Sequence, residues 1–197
     1  MREEKNQIEN YAIYSDNEKH RYLLARIWDR NKPIPLFVSK RSGTANGIFL
    51  ELTNSLITNN LYQLGYGGYY AVNLCSGIHG ETKELADSET DKYIAEYAKK
   101  ATEIIISWGT LTRNDLKERE KEVLKLLRGT KKKVLAVADG NGKENVHILT
   151  PSVRNGFDLT EVNVKELLNV ASERTEKTEK SVKTEKEVKE EQGNSYA

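Results

Sequence analysis

The feature that most constrains this chain is a set of short apolar runs, each followed by a polar loop and then by a segment of helical spacing. Tyr69-Tyr-Ala-Val-Asn-Leu-Cys75, Glu103-Ile-Ile-Ile-Ser-Trp108 and Lys133-Val-Leu-Ala-Val-Ala138 are continuous rather than alternating. Runs of this kind suit strands covered on both faces. Between them lie helical signals. Gly47 to Leu64 places Ile48, Leu52, Leu56, Leu61 and Leu64 near helical spacing, and Gly65-Tyr-Gly-Gly68 ends it. Thr90 or Asp91 can cap a helix running to Lys100, and Thr112 to Leu127 predicts another, stopped by Gly129. Strand–helix–strand order requires right-handed crossovers and a largely parallel sheet. The expected fold is an α/β three-layer sandwich.

Upstream, Tyr11-Ala-Ile-Tyr14 and Arg21-Tyr-Leu-Leu-Ala-Arg-Ile-Trp28 predict an N-terminal hairpin at one edge of the sheet, joined by Ser15-Asp-Asn-Glu18. Strict alternation puts Tyr22, Leu24, Arg26 and Trp28 on one face of its second strand and Leu23, Ala25 and Ile27 on the other. Ile34 to Val38 is a further strand, and Val146-His-Ile-Leu149 is expected to be a short last one.

Residues 1–170 are read as a single α/β domain, and residues 171–197 as a charged tail in which Thr-Glu-Lys recurs. So few large apolar groups cannot offset chain entropy, so the tail is expected to be disordered or a solvated helix, with partner docking as a lesser reading. Lys+Arg 31 against Asp+Glu 30 gives a net charge of +1, which selects neither nucleic acid nor membrane. No apolar run approaches the roughly 18 residues of a span, and Met1 to Lys5 lacks a secretory apolar segment. With a lone cysteine, Cys75, the expectation is a cytoplasmic protein.

Ligands of open α/β sheets bind beyond the carboxyl ends of the parallel strands. Four polar, glycine-bearing loops fall there, after Val38, Val72, Ser107 and Ala138. Trp108-Gly109 either caps the core or lines a ligand site, where the indole could stack on a planar ring. Ser39-Lys-Arg-Ser-Gly-Thr44 lacks the spacing of a triphosphate-binding loop, and Asp139-Gly-Asn-Gly-Lys143 departs from a calcium loop after its first residues. His20, His79 and His147 do not form a zinc pattern, so no metal and no cofactor are expected. Lys131-Lys-Lys133 reads as a solvated edge. His147 could serve as an acid, a base or a hydrogen-bond donor, although a histidine satisfied by backbone is the simpler reading.

Arg21 to Asp29, Thr44-Ala-Asn46, Gly65-Tyr-Gly-Gly68, Val72-Asn-Leu74, Lys83-Glu-Leu85 and Ser107-Trp-Gly109 together resemble the domain of unknown function 1643 family of bacterial and phage proteins. The resemblance covers roughly residues 10–150. That family is in turn similar to uracil-DNA-glycosylase-type α/β domains, whose first loop positions a water molecule. Against the family's Leu-Asn-Pro-Ser-Thr-Ala-Asp loop, this chain carries Arg41 for the Asn, Ser42 for the Pro and Asn46 for the final Asp. The family's Asp-Pro-Thr becomes Glu51-Leu-Thr53, Ile78 stands where an Arg is expected, and Ile148 rather than Pro follows His147. Arg41 only donates hydrogen bonds and cannot hold a hydrolytic water as an acceptor.

The expectation is therefore binding of a small nucleotide- or nucleobase-like ligand, which the protein could sequester, without robust catalysis. Arg26 and Arg41 are expected to meet its anion, Thr44 and Asn73 to form hydrogen bonds, Trp108 to stack and Gly109 to allow close approach. The rival is a glycosylase- or hydrolase-like enzyme acting on a nucleoside, nucleotide or nucleic acid through Glu51 or Asn46 with His147. Nucleic acid is not the favoured partner, a membrane is excluded as one, and homo-oligomerisation is left open.

Overall fold

A computed structural model describes residues 1–78 and 82–174. Seven strands form one mixed sheet: β1 (Glu9–Tyr14), β2 (Arg21–Ile27), β3 (Leu36–Arg41), β4 (Gly68–Cys75), β5 (Ile104–Ser107), β6 (Val134–Ala138) and β7 (Asp158–Glu161). Their spatial order is β1-β2-β4-β3-β5-β6-β7. The central four, β4-β3-β5-β6, are mutually parallel, whereas β2 joins β4 antiparallel, β1 joins β2 antiparallel and β7 joins β6 antiparallel. The expected edge hairpin is present. Helices α1 (Leu52–Gln63), α2 (Ser88–Lys100) and α3 (Asn114–Gly129) supply the crossovers, and residues 164–174 form a further helix, α4.

Two apolar clusters divide between the faces of the sheet. One joins Leu23, Val38, Val72 and Ile106 to α2, α3 and α4. The other joins Leu24, Phe37, Tyr69, Ile105 and Val137 to α1 and to the segment from Val146 to Phe157. Because β3 leads into α1 on one face and β5 into α3 on the other, the chain reverses between these neighbouring strands. A crevice opens at such a switch point, beyond the strand ends.

Several boundaries differ from the expectations. Helix α1 begins at Leu52, and Ile48, counted in its apolar stripe, is 95% exposed in the preceding loop. Helix α2 begins at Ser88, with Asp87 as its cap: the Asp87 carboxylate accepts from the Glu89 and Thr90 backbone N–H groups, and Thr90 Oγ1 accepts from the Asp87 N–H. Val146–Leu149 is not a strand. Val146 and Ile148 alternate inward because their loop is stitched to the sheet, with Val146 N–H donating to Val137 O at 2.9 Å and Ser107 Oγ donating to Val146 O at 2.7 Å. The last strand is β7 instead, a largely exposed edge. Ala171 is buried within α4, while the tail beyond residue 174 and His79 lie outside the described residues.

The alternation expected for β2 fails at its start. Register with β1 slips by one residue between Ile13 and Tyr14, leaving Tyr22 as the extra residue of a bulge. Tyr22 therefore shares a face with Leu23, stacking on Tyr93 at 4.9 Å and donating to Asp87 at 2.6 Å. Arg21 turns to the opposite face, toward the carbonyls of Gly43 and Ala45.

Burial alone raises the Asp87 carboxyl, but hydrogen bonds from Tyr22 and Thr90 hold it below the ordinary carboxylate range. A depressed folded value means stability that is present at neutral pH and lost as pH falls through the carboxylate range. Asp87→Ala is expected to lower stability by about 1–2 kcal/mol at pH 7, measured by urea unfolding. The gap between variant and wild type should narrow below about pH 4.

Candidate functional site

At the carboxyl end of the parallel strands, registered positions turn polar together. Ser39 lies beside Asn73 on β4 and Ser107 on β5, which makes one polar row across three strands. Asn73 is buried; its Nδ2 donates to Ser39 Oγ at 2.8 Å, and its Oδ1 accepts from Ser42 Oγ at 2.9 Å. The apolar runs end here because the sheet meets a cavity. That cavity, of about 210 Å³, is bounded by Ser39 and Asn73 of this row, by Arg21, Lys40 and Arg41, by Glu51, Thr53 and Asn54 at the start of α1, and by His147.

Its electrostatics are dominated by cations. Arg21, Lys40 and Arg41 face one carboxylate, Glu51. The Arg21 guanidinium is buried, with the residue 4% exposed; Nη1 donates to Ala45 O at 2.5 Å and Gly43 O at 3.3 Å, and Nε has no hydrogen-bond partner among the described residues. Desolvation lowers its pKa, partly opposed by Tyr14 and Glu51. The Arg41 side chain forms no hydrogen bond or ion pair among the described residues, while its backbone pairs with Cys75 in the sheet. Helix α1 opens toward the cavity with Thr53 and Asn54, has no acidic residue in its first turn and no side-chain cap; the Glu51 carboxylate at its N-cap position bonds to Thr44 instead.

His147 sits between two inward-packed neighbours, so its ring is left toward the cavity. Its Nδ1 accepts the Leu149 N–H at 3.2 Å, so the neutral ring carries its proton on Nε2. Burial, aided by the Lys40 charge, lowers its pKa. At neutral pH it is an uncharged hydrogen-bond donor.

Of the residues expected from sequence, the cavity brings together Arg41, Asn73, Glu51 and His147. Thr44 is adjacent and joined to it through Glu51, to which its N–H and Oγ1 donate at 2.7 and 2.8 Å. Arg26 is not there. It lies near the far end of β2, paired with Tyr69 and bonded to Asn10 at 2.7 Å, because antiparallel β2 carries its carboxyl end to the opposite rim. Asn46 is spent on its own turn, where Oδ1 accepts from Ile48 and Phe49 N–H, and it faces a separate depression with Tyr14 and Ile78.

Trp108 cannot stack on a ligand. It is 1% exposed within the core, and its Nε1 donates to Glu120 Oε1 at 2.7 Å. Gly109, at φ +69°, serves the neighbouring chain: a Cβ there would stand 2.9 Å from His147 Cβ. The residue that sequence reasoning missed is Arg21. Its one signal was a charged residue at the first position of a mostly apolar strand. Among the described residues no group of three or more His, Cys, Asp or Glu could hold a metal ion, and no helix is long and apolar enough to cross a membrane.

Burial raises the Glu120 carboxyl despite the Trp108 hydrogen bond and the Arg174 charge. A raised folded value costs stability as pH rises from the ordinary carboxylate value through the folded one. Glu120→Gln, which keeps an acceptor for Trp108, should raise the unfolding midpoint at pH 7. That advantage should fade toward pH 4, as thermal melts across pH would record.

The model of a family described as Protein of unknown function (DUF1643) matches residues 21–149, a span that contains every wall of the cavity. No curated protein and no solved structure matches the chain.

Proposed function

The chain belongs to the DUF1643 family, and from that premise and the cavity we propose that it binds a small anionic ligand of nucleotide type at the carboxyl ends of β3 and β4. The observation that carries this reading is the buried Arg21 guanidinium in the wall of a cavity rich in cations. A buried charge without full compensation is costly, and an anion in the cavity offsets it through space. The uncapped start of α1 favours the same charge, since free N–H groups and the helix dipole both attract anions. Arg41 and Lys40 stand at the sides, and Nε2–H of His147 is directed to a neutral acceptor on the ligand.

The cavity is smaller than the roughly 300–1,000 Å³ of drug-sized pockets, so it suits a phosphate and part of a ribose or base. Among the described residues no Phe, Tyr or Trp lines it, so affinity comes mainly from charge and hydrogen bonds. Sequestration of a nucleotide without turnover fits this cationic lining, and helices packed on both faces of the sheet fit a three-layer arrangement.

A second reading, a glycosylase- or hydrolase-like enzyme, is favoured by one observation. Glu51 and His147, an acceptor and a neutral donor, border the same cavity. A carboxylate could orient water while the imidazole stabilises a leaving group. Asn46 has no part in it.

Isothermal titration calorimetry with adenosine monophosphate tests the binding reading. Wild type should bind, Arg21→Met should weaken binding roughly tenfold or more, as for loss of a charge-assisted hydrogen bond, and Arg26→Ala should leave it unchanged. Equal effects of the two arginine substitutions would refute the site. Nucleoside or nucleotide turnover that His147→Ala abolishes would decide for the enzyme.

A further inference from the structure

The loop Ser42-Gly43-Thr44 already holds an anion, and it comes from the chain itself. Glu51, at the N-cap position of α1, makes no capping bond to its own helix. Its side chain turns back, and Oε1 accepts both the Thr44 N–H at 2.7 Å and the Thr44 hydroxyl at 2.8 Å. The carboxylate lies flat over Gly43: a Cβ on Gly43 would stand 2.1 Å from Glu51 Oε2 and 2.5 Å from Oε1. A side chain there would push the Glu51 carboxylate aside. The same loop offers its Gly43 and Ala45 carbonyls to Arg21, so its backbone donors converge on one side and its acceptors on the other. Glu51 is also among the charges that favour the protonated Arg21 guanidinium.

A backbone N–H, a hydroxyl, a glycine-width gap and a buried cation form a cradle for a tetrahedral or planar oxyanion. We infer that Glu51 is an internal competitor: its carboxylate occupies the anion subsite in the free chain, and the phosphoryl group of a bound ligand displaces it, taking over Thr44 N–H, Thr44 Oγ1 and the field of Arg21. This inference rests on the reading of the cavity as an anion site, and it deepens that reading by naming the subsite and the group that guards it. A displaced Glu51 side chain can swing toward solvent, since the residue is only half-buried. The competition sets a threshold. Dianionic phosphate monoesters, with more charge for the cradle, should displace the carboxylate more readily than monoanionic diesters or carboxylates.

The test compares wild type with Glu51→Gln, using inorganic phosphate and adenosine monophosphate as titrants. Glu51→Gln keeps an oxygen acceptor for Thr44 and removes the charge, so it should bind inorganic phosphate roughly tenfold or more tightly than wild type. In wild type, the Thr44 amide resonance should move on adding phosphate as its acceptor changes. That measurement needs no variant, and so it stands even if Glu51→Gln folds poorly. Adenosine monophosphate bound by wild type, with equal or weaker phosphate binding by Glu51→Gln and a stationary Thr44 amide, would overturn the displacement inference and leave the binding site standing. Absence of binding by both proteins to both titrants would overturn the site and the inference together.

Discussion

A guanidinium kept from water fixes this end of the molecule. Arg21 enters the protein through a bulge at Tyr22, and its Nη1 is met by the carbonyls of Gly43 and Ala45. Those contacts hold the loop after β3 in one path. The loop path then presents the Thr44 donors to Glu51 and brings the start of α1 over the ends of β3 and β4. Without the bulge, strict alternation would send Arg21 to the face covered by α2, and the cavity would lose its deepest charge.

The same bulge serves the other face. Tyr22 reaches the Asp87 cap, so one irregular residue ties the edge hairpin to α2 while releasing Arg21 to the opposite side. Packing and chemistry are thus divided between adjacent residues. The core tolerates this because the strands are apolar on both faces, and the polar row Ser39–Asn73–Ser107 is confined to the strand ends, where each member has a hydrogen-bond partner.

Much of the sheet was legible in the sequence because continuous apolar runs have few other uses. Its parallel strands and its edge hairpin follow from local pattern alone. Strand β7 was not legible, since Asp158-Leu-Thr-Glu161 is mostly exposed and its order comes from pairing with β6. Val146–Leu149 misled for the reverse reason: inward alternation arises equally when a loop is pinned over a core. At the site, Asn73 and Arg41 were identifiable because the strand-end rule concerns position along a strand, whereas Glu51 came from the family resemblance and His147 from its place in the last apolar run. Arg26 against Arg21 was decided by the direction of β2 relative to β4, which is a long-range fact. For Trp108, no local signal separates an indole facing a ligand from one packed inward against Glu120.

The most direct measurement of the central claim is a nitrogen-detected NMR titration of the arginine Nε–H groups with adenosine monophosphate. The Arg21 Nε–H signal should move as the nucleotide binds nearby, while that of Arg26, whose Nε is equally buried and without a hydrogen-bond partner among the described residues but at the opposite rim, should not. Saturable nucleotide binding that leaves Arg21 untouched would contradict that claim.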